Sequence, residues 1–283
     1  MKIGVSGASG KLGTAIVAEL LKRGGGHQIV AISRTPSTVG AAQGREGDYD
    51  RPATLRTAYA GLDRLVLIPT TALAPGVRAR QNLAAIDAAV SAGVGHILFF
   101  SSAGTRGMAE PNVWASYFAA EQRLMRTASA WSILRMNYYA ESLLDEAKMS
   151  LADGVLTGLA ENRVAFVSRD DLAAAAAGLL TGEGHHGAIY TGTGPACLTG
   201  AQRAALIAKA ADRPLEFMVL PREALKAGLE QAQLPPDVVN VVLSIQEGFA
   251  VGGFDIVTGD IERLSGRPPR SLQDVLAAAF PPT

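Results

Sequence analysis

The chain has 283 residues, 48% hydrophobic and 18% charged, with 26 basic and 26 acidic side chains and a formal net charge of zero. This composition supports a sizeable core in one large domain or two smaller ones and excludes a disordered chain. It holds no Lys/Arg run that could track a phosphate backbone, so no nucleic-acid partner is expected.

Ile3 to Ser6 is a short apolar run that reads as a buried first strand. Glycines follow at positions 7, 10 and 13. Leu12, Ile16 and Leu20 then fall four apart, with Ala15 beside them, as on one face of a helix. The glycines therefore sit on a strand-to-helix turn, and each has a physical job. Gly7 lets the backbone turn sharply, Gly10 lets a pyrophosphate approach the main chain, and Gly13 lets the helix pack tightly on the strand. The free N–H groups and the dipole of the helix N-terminus then face an anion. The spacing is GxxGxxG rather than GxGxxG, so its strand–turn–helix context carries the assignment.

Residues 28–33 (QIVAIS) read as a second strand. The third is poorly marked, with Gly47-Asp48-Tyr49 as its remnant. Helices are predicted over 52–60, 77–92 and 112–128, and strands over 64–69, 96–101 and 131–136. The continuous apolar character of HILFFS (96–101) predicts a strand buried on both faces, as parallel strands are. This alternation predicts an α/β fold, a doubly wound parallel sheet of Rossmann-like type. After Asn137 the rhythm changes. Ser168 caps an Ala-rich helix to Leu180, and 188–191 is a short strand. Thr199 with Gln202, and Ser271 with Asp274, read as capping pairs. Residues 215–220 read as a strand, Pro221 starts a helix, and 238–249 is helical. The expected division is a nucleotide-binding domain over 1–136, with 155–191 returning to it. A smaller α-rich C-terminal lobe then holds 137–154 and 192–283.

The end of the second strand bears on the nucleotide. An NAD site usually places an acid there to accept from the ribose 2′-OH. Here the strand ends Ser33-Arg34-Thr35, with no acid. Arg34 offers a planar fork suited to a phosphate, Ser33 and Thr35 add hydroxyls, and Lys11 adds charge. This reads as a 2′-phosphate site, hence NADP(H); a solvated surface arginine is the other reading.

Gly7-Ala8-Ser9-Gly10-Lys11-Leu12-Gly13 with Ser33-Arg34-Thr35-Pro36 resembles the NmrA-like group of atypical short-chain dehydrogenases/reductases. The bacterial NAD(P)H:quinone oxidoreductases and triphenylmethane dye reductases are the nearest within it. Gly47-Asp48-Tyr49-Asp50, Leu62-Asp63-Arg64-Leu65, Ala92-Gly93-Val94, Leu134-Arg135 with Tyr139-Ala140-Glu141, and Leu264-Ser265-Gly266-Arg267-Pro268-Pro269 are similar too. The resemblance implies NADPH held by Gly7, Ser9, Gly10, Lys11, Leu12 and Gly13, with Arg34 near the 2′-phosphate. It implies Asp48 and Tyr49 near the adenine, Pro69, Thr70 and Ser101 along the cofactor, and substrate in the cleft below the C-terminal lobe.

Short-chain dehydrogenases carry Tyr-x-x-x-Lys, in which the lysine lowers the tyrosine pKa. Here the pattern is Tyr117-x-x-x-Glu121, and a carboxylate would raise that pKa. Gln122 stands where the family's quinone reductases carry lysine. Tyr117 is either a weak acid or a residue lining the cleft. Ser101 and Ser102 end strand five, where a serine can orient a carbonyl or cap a loop. Asn137, Tyr138 and Tyr139 follow strand six as candidates for substrate contact or for interface packing. His185 and His186 lie in a Gly-rich loop with only Glu183 near, too few for a metal site.

The expected function is hydride transfer from NADPH to a quinone or similar conjugated electrophile, because its product needs no strong acid. The alternatives are a non-catalytic NADP(H) sensor and a reductase of a carbonyl, imine or enone. The expected partner is a small molecule, and a homodimer is compatible with this reading. One cysteine, Cys197, allows no intrachain disulfide and fits a reducing compartment. With no h-region at the start and no apolar run of about 18 residues, neither a signal peptide nor a membrane span is expected, and the location is cytoplasmic.

Overall fold

The computed structural model describes residues 1–36, 42–109 and 112–280. The chain divides into two compact units. The first comprises Met1–Met136, Arg169–Gly192 and Asp260–Arg267; the second comprises Asn137–Ser168, Thr193–Gly259 and Pro268–Thr283.

The strands are β1 (Lys2–Ser6), β2 (Gln28–Ser33), β3 (Gln43–Glu46), β4 (Arg64–Leu67), β5 (His96–Ser102), β6 (Trp131–Met136), β7 (Val155–Gly158), β8 (Ala188–Gly192) and β9 (Glu216–Val219). The helices are α1 (Lys11–Arg23), α2 (Pro52–Tyr59), α3 (Val77–Ser91), α4 (Val113–Thr127), α5 (Ala140–Asp153), α6 (Arg169–Thr181), α7 (Gly200–Ala211), α8 (Arg222–Gln231), α9 (Pro236–Ala250), α10 (Asp260–Ser265) and α11 (Leu272–Ala279).

Seven strands of the first unit form one sheet in the order β3-β2-β1-β4-β5-β6-β8, and every pair is parallel. The doubly wound sheet read from the sequence is present. The order reverses at β1, which pairs with β2 on one side and β4 on the other. A ligand crevice opens beyond the carboxyl ends of the strands at such a switch point, and the glycine turn follows β1 there. Ile97 to Ser101 of β5 are fully buried, as a strand covered on both faces requires.

Helix α6 is buried from Asp171 to Leu180. Its run of alanines fits: a helix apolar all round belongs inside. A Cβ on Gly178 would lie 1.8 Å from the Leu264 carbonyl oxygen, so the contact between α6 and α10 requires glycine there. Asp260 ties α10 to β8 by accepting from the Thr191 amide at 2.7 Å.

The third strand lies earlier than expected, at 43–46 rather than 47–49. It is a polar edge strand, mostly exposed, so no apolar alternation marks it. Gly47 follows it because a Cβ there would fall 2.5 Å from Ile32 Cγ2.

The second unit holds a two-stranded parallel sheet, β7 beside β9, with α5, α7, α8, α9 and α11. Capping boxes form at Thr199/Gln202 and Ser271/Asp274. The sequence reading returned 155–191 to the first unit, whereas the return begins at Arg169. The reason is β7: Val155 to Gly158 pair with Glu216 to Val219, and four residues carry too little pattern to be seen as a strand.

Candidate functional site

The glycine turn has the geometry that its spacing implies. Gly7 has φ +89°, a region that L side chains rarely adopt. A Cβ on Gly13 would lie 2.2 Å from the Gly7 carbonyl oxygen and 2.7 Å from Ala8 Cα, so glycine is required for α1 to close on the turn. Gly10 is different. A Cβ there would meet only the Gly7 oxygen, at an ordinary 3.4 Å. The fold does not need a glycine at position 10, whereas a ligand approaching the backbone does.

The turn's amides divide in two groups. Those of Gly7 and Ala8 both donate to the Ile32 carbonyl, at 3.0 and 3.1 Å, and that of Gly10 donates to Gly7. Among the described residues, the amides of Lys11, Leu12 and Gly13 in the first turn of α1 donate to no backbone carbonyl. They leave a cradle of donors at a positive helix end, which fits a pyrophosphate. Ser9 and Lys11 are exposed at its rim.

At the end of β2, Ser33 is buried, and its hydroxyl accepts from the Thr35 amide at 3.2 Å. Its oxygen is occupied in shaping the turn. Arg34 is exposed and forms no hydrogen bond or ion pair among the described residues. Its charge reaches Asp48, whose carboxyl is held below the usual range by the Asp50 amide first, and then by Arg51 and Arg34. Both Asp48 oxygens have partners, Asp50 N at 3.0 Å and Arg51 Nε at 3.1 Å. Tyr49 turns inward: its hydroxyl donates to the Ile68 carbonyl at 3.0 Å, and burial pushes it up to about 12. Asp48 and Tyr49 thus build the wall beside the crevice, with their polar groups committed to the protein. Pro69 and Thr70 follow β4. The Thr70 hydroxyl donates to Gln81 of α3, whose amide donates to Asp50 Oδ1 at 2.9 Å. The relay through Gln81, which sequence reasoning missed, binds the two walls together.

The two candidate catalytic residues are less accessible than their types suggest. Ser101 is 0% exposed, and its hydroxyl is shared with Thr105 at 3.2 Å. Ser101 thus has its hydroxyl engaged by the loop after β5. Tyr117 is buried in the core between α3 and α4. Its hydroxyl pKa is raised, chiefly by burial, while Arg78 of α3 opposes the rise through its charge and a hydrogen bond. The Arg78 guanidinium lies 5.7 Å from the Tyr117 ring centre, and its buried Nε has no hydrogen-bond partner among the described residues. Arg78 is a second residue that sequence reasoning missed; a cation in the first turn of a helix carries no motif.

Glu121 was expected to raise the Tyr117 pKa. Instead it is buried and held by a two-pronged contact from Arg135 of β6, Nε to Oε1 at 2.9 Å and Nη2 to Oε2 at 2.6 Å. Such a fork neutralises the carboxylate, and burial rather than Glu121 shifts Tyr117.

Two of the three substrate candidates turn into the second unit's own interior. Asn137 is buried, with its amide nitrogen donating to the Phe254 carbonyl at 3.1 Å and its oxygen accepting from the Tyr138 amide at 2.7 Å. Tyr138 meets Phe166, Phe249 and Phe254 edge-on. Tyr139 is partly exposed and leads into α5.

At the opposite, amino end of the sheet is a recess of about 330 Å³ lined by Asp63, Arg64, His96 and the 182–186 loop. Its groups are paired. Arg64 donates to the carbonyls of Leu180 and Gly182 and to Glu183. Ser132 donates its one proton to the His185 carbonyl at 2.6 Å, so His96 Nε2, 2.8 Å from Ser132 Oγ, must be the donor of that pair. His185 Nδ1 is 2.8 Å from the Tyr190 hydroxyl, and His186 Nδ1 accepts from the Trp131 amide at 3.3 Å. The two histidines expected to be solvated are thus hydrogen-bonded, and no metal-holding cluster of three ligands exists among the described residues.

Comparison with known proteins places this geometry. A family model described as NAD(P)H-binding matches residues 7–183. Quinone oxidoreductase 2 of Escherichia coli (strain K12) is 30% identical over 288 residues, covering 98% of each chain. The crystal structure of the E. coli NADPH-dependent quinone oxidoreductase complexed with NADPH superposes with a TM-score of 0.90 at 29% identity, covering 98% of this chain and 99% of that one. Citrobacter sp. triphenylmethane reductase complexed with NADP(H) gives 0.87 at 26% identity, again over 98% and 99%.

Proposed function

From the premise that the chain belongs to the NAD(P)H-binding family of oxidoreductases, we propose that it reduces a quinone or a similar conjugated electrophile at the expense of NADPH. In this reading the amides of Lys11, Leu12 and Gly13 and the open backbone at Gly10 hold the pyrophosphate. Arg34 and Lys11 take the 2′-phosphate, and the wall built by Asp48, Tyr49, Pro69 and Thr70 borders the adenosine and ribose. Bound NADPH supplies the hydride.

The observation that carries the choice of electrophile is the Glu121–Arg135 pair. It fills the place from which a lysine would serve Tyr117, and burial leaves Tyr117 a poor acid. Hydride addition to an isolated carbonyl makes a basic alkoxide that needs a positioned acid. Hydride addition to a quinone makes an aromatic phenolate, far less basic, which water can protonate. The chain's residues then need only orient the acceptor. The relatives named for quinone and dye reduction support the same choice.

The enclosure of Ser101 and the burial of Tyr117 favour one competitor, an NADP(H) sensor without turnover. NADPH oxidation followed by absorbance across benzoquinones, naphthoquinones and simple ketones separates the two. Turnover with quinones and none with ketones is expected. Tight nucleotide binding with no consumption on any acceptor would establish the sensor instead.

A further inference from the structure

Two loops of the first unit meet through one buried amide. Gln81 of α3 is 4% exposed and stands between Asp50, which follows β3, and Thr70, which follows β4. Its Nε2 donates to Asp50 Oδ1 at 2.9 Å, and its Oε1 accepts from the Thr70 hydroxyl. Arg80 Nη2 lies 3.6 Å from the same Asp50 oxygen. The segment before Thr70 lies against the glycine turn. Ile68 donates its amide to the Ser6 carbonyl at 3.2 Å, and a Cβ on Gly7 would stand 3.2 Å from Ile68 Cβ. Thr70 is half-buried two residues beyond.

The relay has a direction. A carboxylate only accepts. Asp50 therefore takes the amide nitrogen of Gln81, since the reverse orientation would set two oxygens against each other at 2.9 Å. The Gln81 oxygen is left for Thr70, and it can be met only by the proton of that hydroxyl. The proton is thus spent inside the wall. Of the two lone pairs on Thr70 Oγ1, one accepts from the Ala72 amide at 3.4 Å, and the other has no partner among the described residues. A hydroxyl free to turn offers a ligand either a donor or an acceptor; this one offers an acceptor alone. The same two loops are already tied by the Tyr49 hydroxyl, which donates to the Ile68 carbonyl at 3.0 Å, so a relay of fixed direction is more than a tether requires.

We propose that Asp50 and Gln81 are positioning residues that fix the proton order at Thr70, so that this wall accepts a hydrogen bond from a ribose hydroxyl of the bound nucleotide. A ribose hydroxyl can donate. A pyrophosphate oxygen is ionised and only accepts, so it would meet Thr70 Oγ1 lone pair against lone pair. The direction therefore sorts the two polar parts of a dinucleotide, with phosphate taken by the amides of α1 and sugar by Thr70. This deepens the nucleotide site of the proposed function and rests on it.

The test is calorimetric titration of the full chain with NADPH in a double-mutant cycle of Asp50→Asn and Thr70→Val. Removing a negative charge from beside a polyanionic ligand strengthens binding when charge alone acts. The relay predicts the opposite sign. Without the carboxylate, Gln81 is free to turn over and Thr70 to point its proton outward, so Asp50→Asn should weaken NADPH about threefold. Thr70→Val should weaken it about tenfold, and Thr70→Ser should stay within about twofold of the wild type. In the Thr70→Val background Asp50→Asn should weaken binding no further. The fragment 2′,5′-ADP locates the hydroxyl: a similar loss on Thr70→Val puts it on the adenosine ribose, and an unchanged affinity puts it on the nicotinamide ribose. A wild type that binds NADPH, with a loss on Asp50→Asn that persists without the Thr70 hydroxyl or with a gain in its presence, would overturn the relay alone. A wild type without NADPH affinity would overturn the nucleotide site itself.

Discussion

The two ends of the seven-stranded sheet carry polar residues of the same kinds and treat them in opposite ways. At the amino end, Arg64, His96, Ser132, His185 and His186 are bonded to one another or to nearby carbonyls and amides. At the carboxyl end, three amides of α1, the Arg34 guanidinium and the bare backbone of Gly10 have no such commitment among the described residues. A residue type therefore does not mark a site; what marks it is a polar group that folding leaves unspent. The histidines, more conspicuous in the sequence, belong to the end that is closed.

This contrast can be broken most forcefully at Gly10. Gly10→Val should abolish NADPH binding, a loss of at least about a hundredfold in affinity, while the melting temperature moves by no more than a few degrees. Gly13→Val, whose Cβ meets backbone at 2.2 Å, should unfold the turn and lose both. Equal melting temperatures for the two variants would remove the distinction between a glycine kept for ligand and one kept for packing.

Arg34→Ala should weaken NADPH by roughly ten- to hundredfold, the cost of a charge-assisted contact, and leave NADH nearly unchanged. Competitive titration with both nucleotides measures it, and equal losses for the two would return Arg34 to the solvated surface.

The closed end should answer to pH rather than to ligand. Burial first, then the positive charge of Arg64, lowers His96 from 6.5 to about 4. Between those values the unfolded chain binds a proton that the folded chain refuses. Stability therefore falls as pH drops through the window, and His96 contributes no pH dependence above it. The loss should be on the order of 1–2 kcal/mol after allowance for solvent screening. Urea midpoints at pH 7 and pH 4.5 for wild type and His96→Asn measure it, and a variant with the same pH slope would exonerate the histidine.

The smallest effect is expected from Tyr117→Phe. With a benzoquinone as acceptor, kcat/KM should fall by less than about tenfold, roughly 1.4 kcal/mol of barrier. A fall beyond about a hundredfold with NADPH affinity intact would show that Tyr117, with Arg78 beside it, is the proton donor after all.

The sheet was legible because continuous apolar strands and helix periodicity are local signals. Its carboxyl-end turn was legible because three glycines at fixed spacing have few other uses. The polar edge strand β3 and the four-residue β7 were not, since neither has a face whose burial leaves a pattern. At the site, residue type pointed to Ser101, Asn137 and Tyr138, but it could not show that folding had already engaged their polar atoms or packed their rings. Arg78, and the partner of Arg135, were invisible for the converse reason: an arginine's partner is chosen by tertiary neighbours, as Glu121 and Tyr117 show.

The glycine at 178 has a consequence for how the molecule is made. All seven strands of the large sheet are contained in residues 1–192, but the helix that presses its carbonyl onto Gly178 begins only at Asp260. A nascent chain emerging from the ribosome at that stage has its sheet strands and an almost entirely apolar α6 with no α10 to cover it. It must wait roughly seventy more residues, a few seconds or more at ordinary synthesis rates, with that surface open to chaperones or to other chains. The nucleotide-binding unit is therefore not a fragment that can be excised at 192. Its final piece is delivered by a late segment, and a truncation before Leu264 should yield an aggregation-prone product rather than a minimal domain.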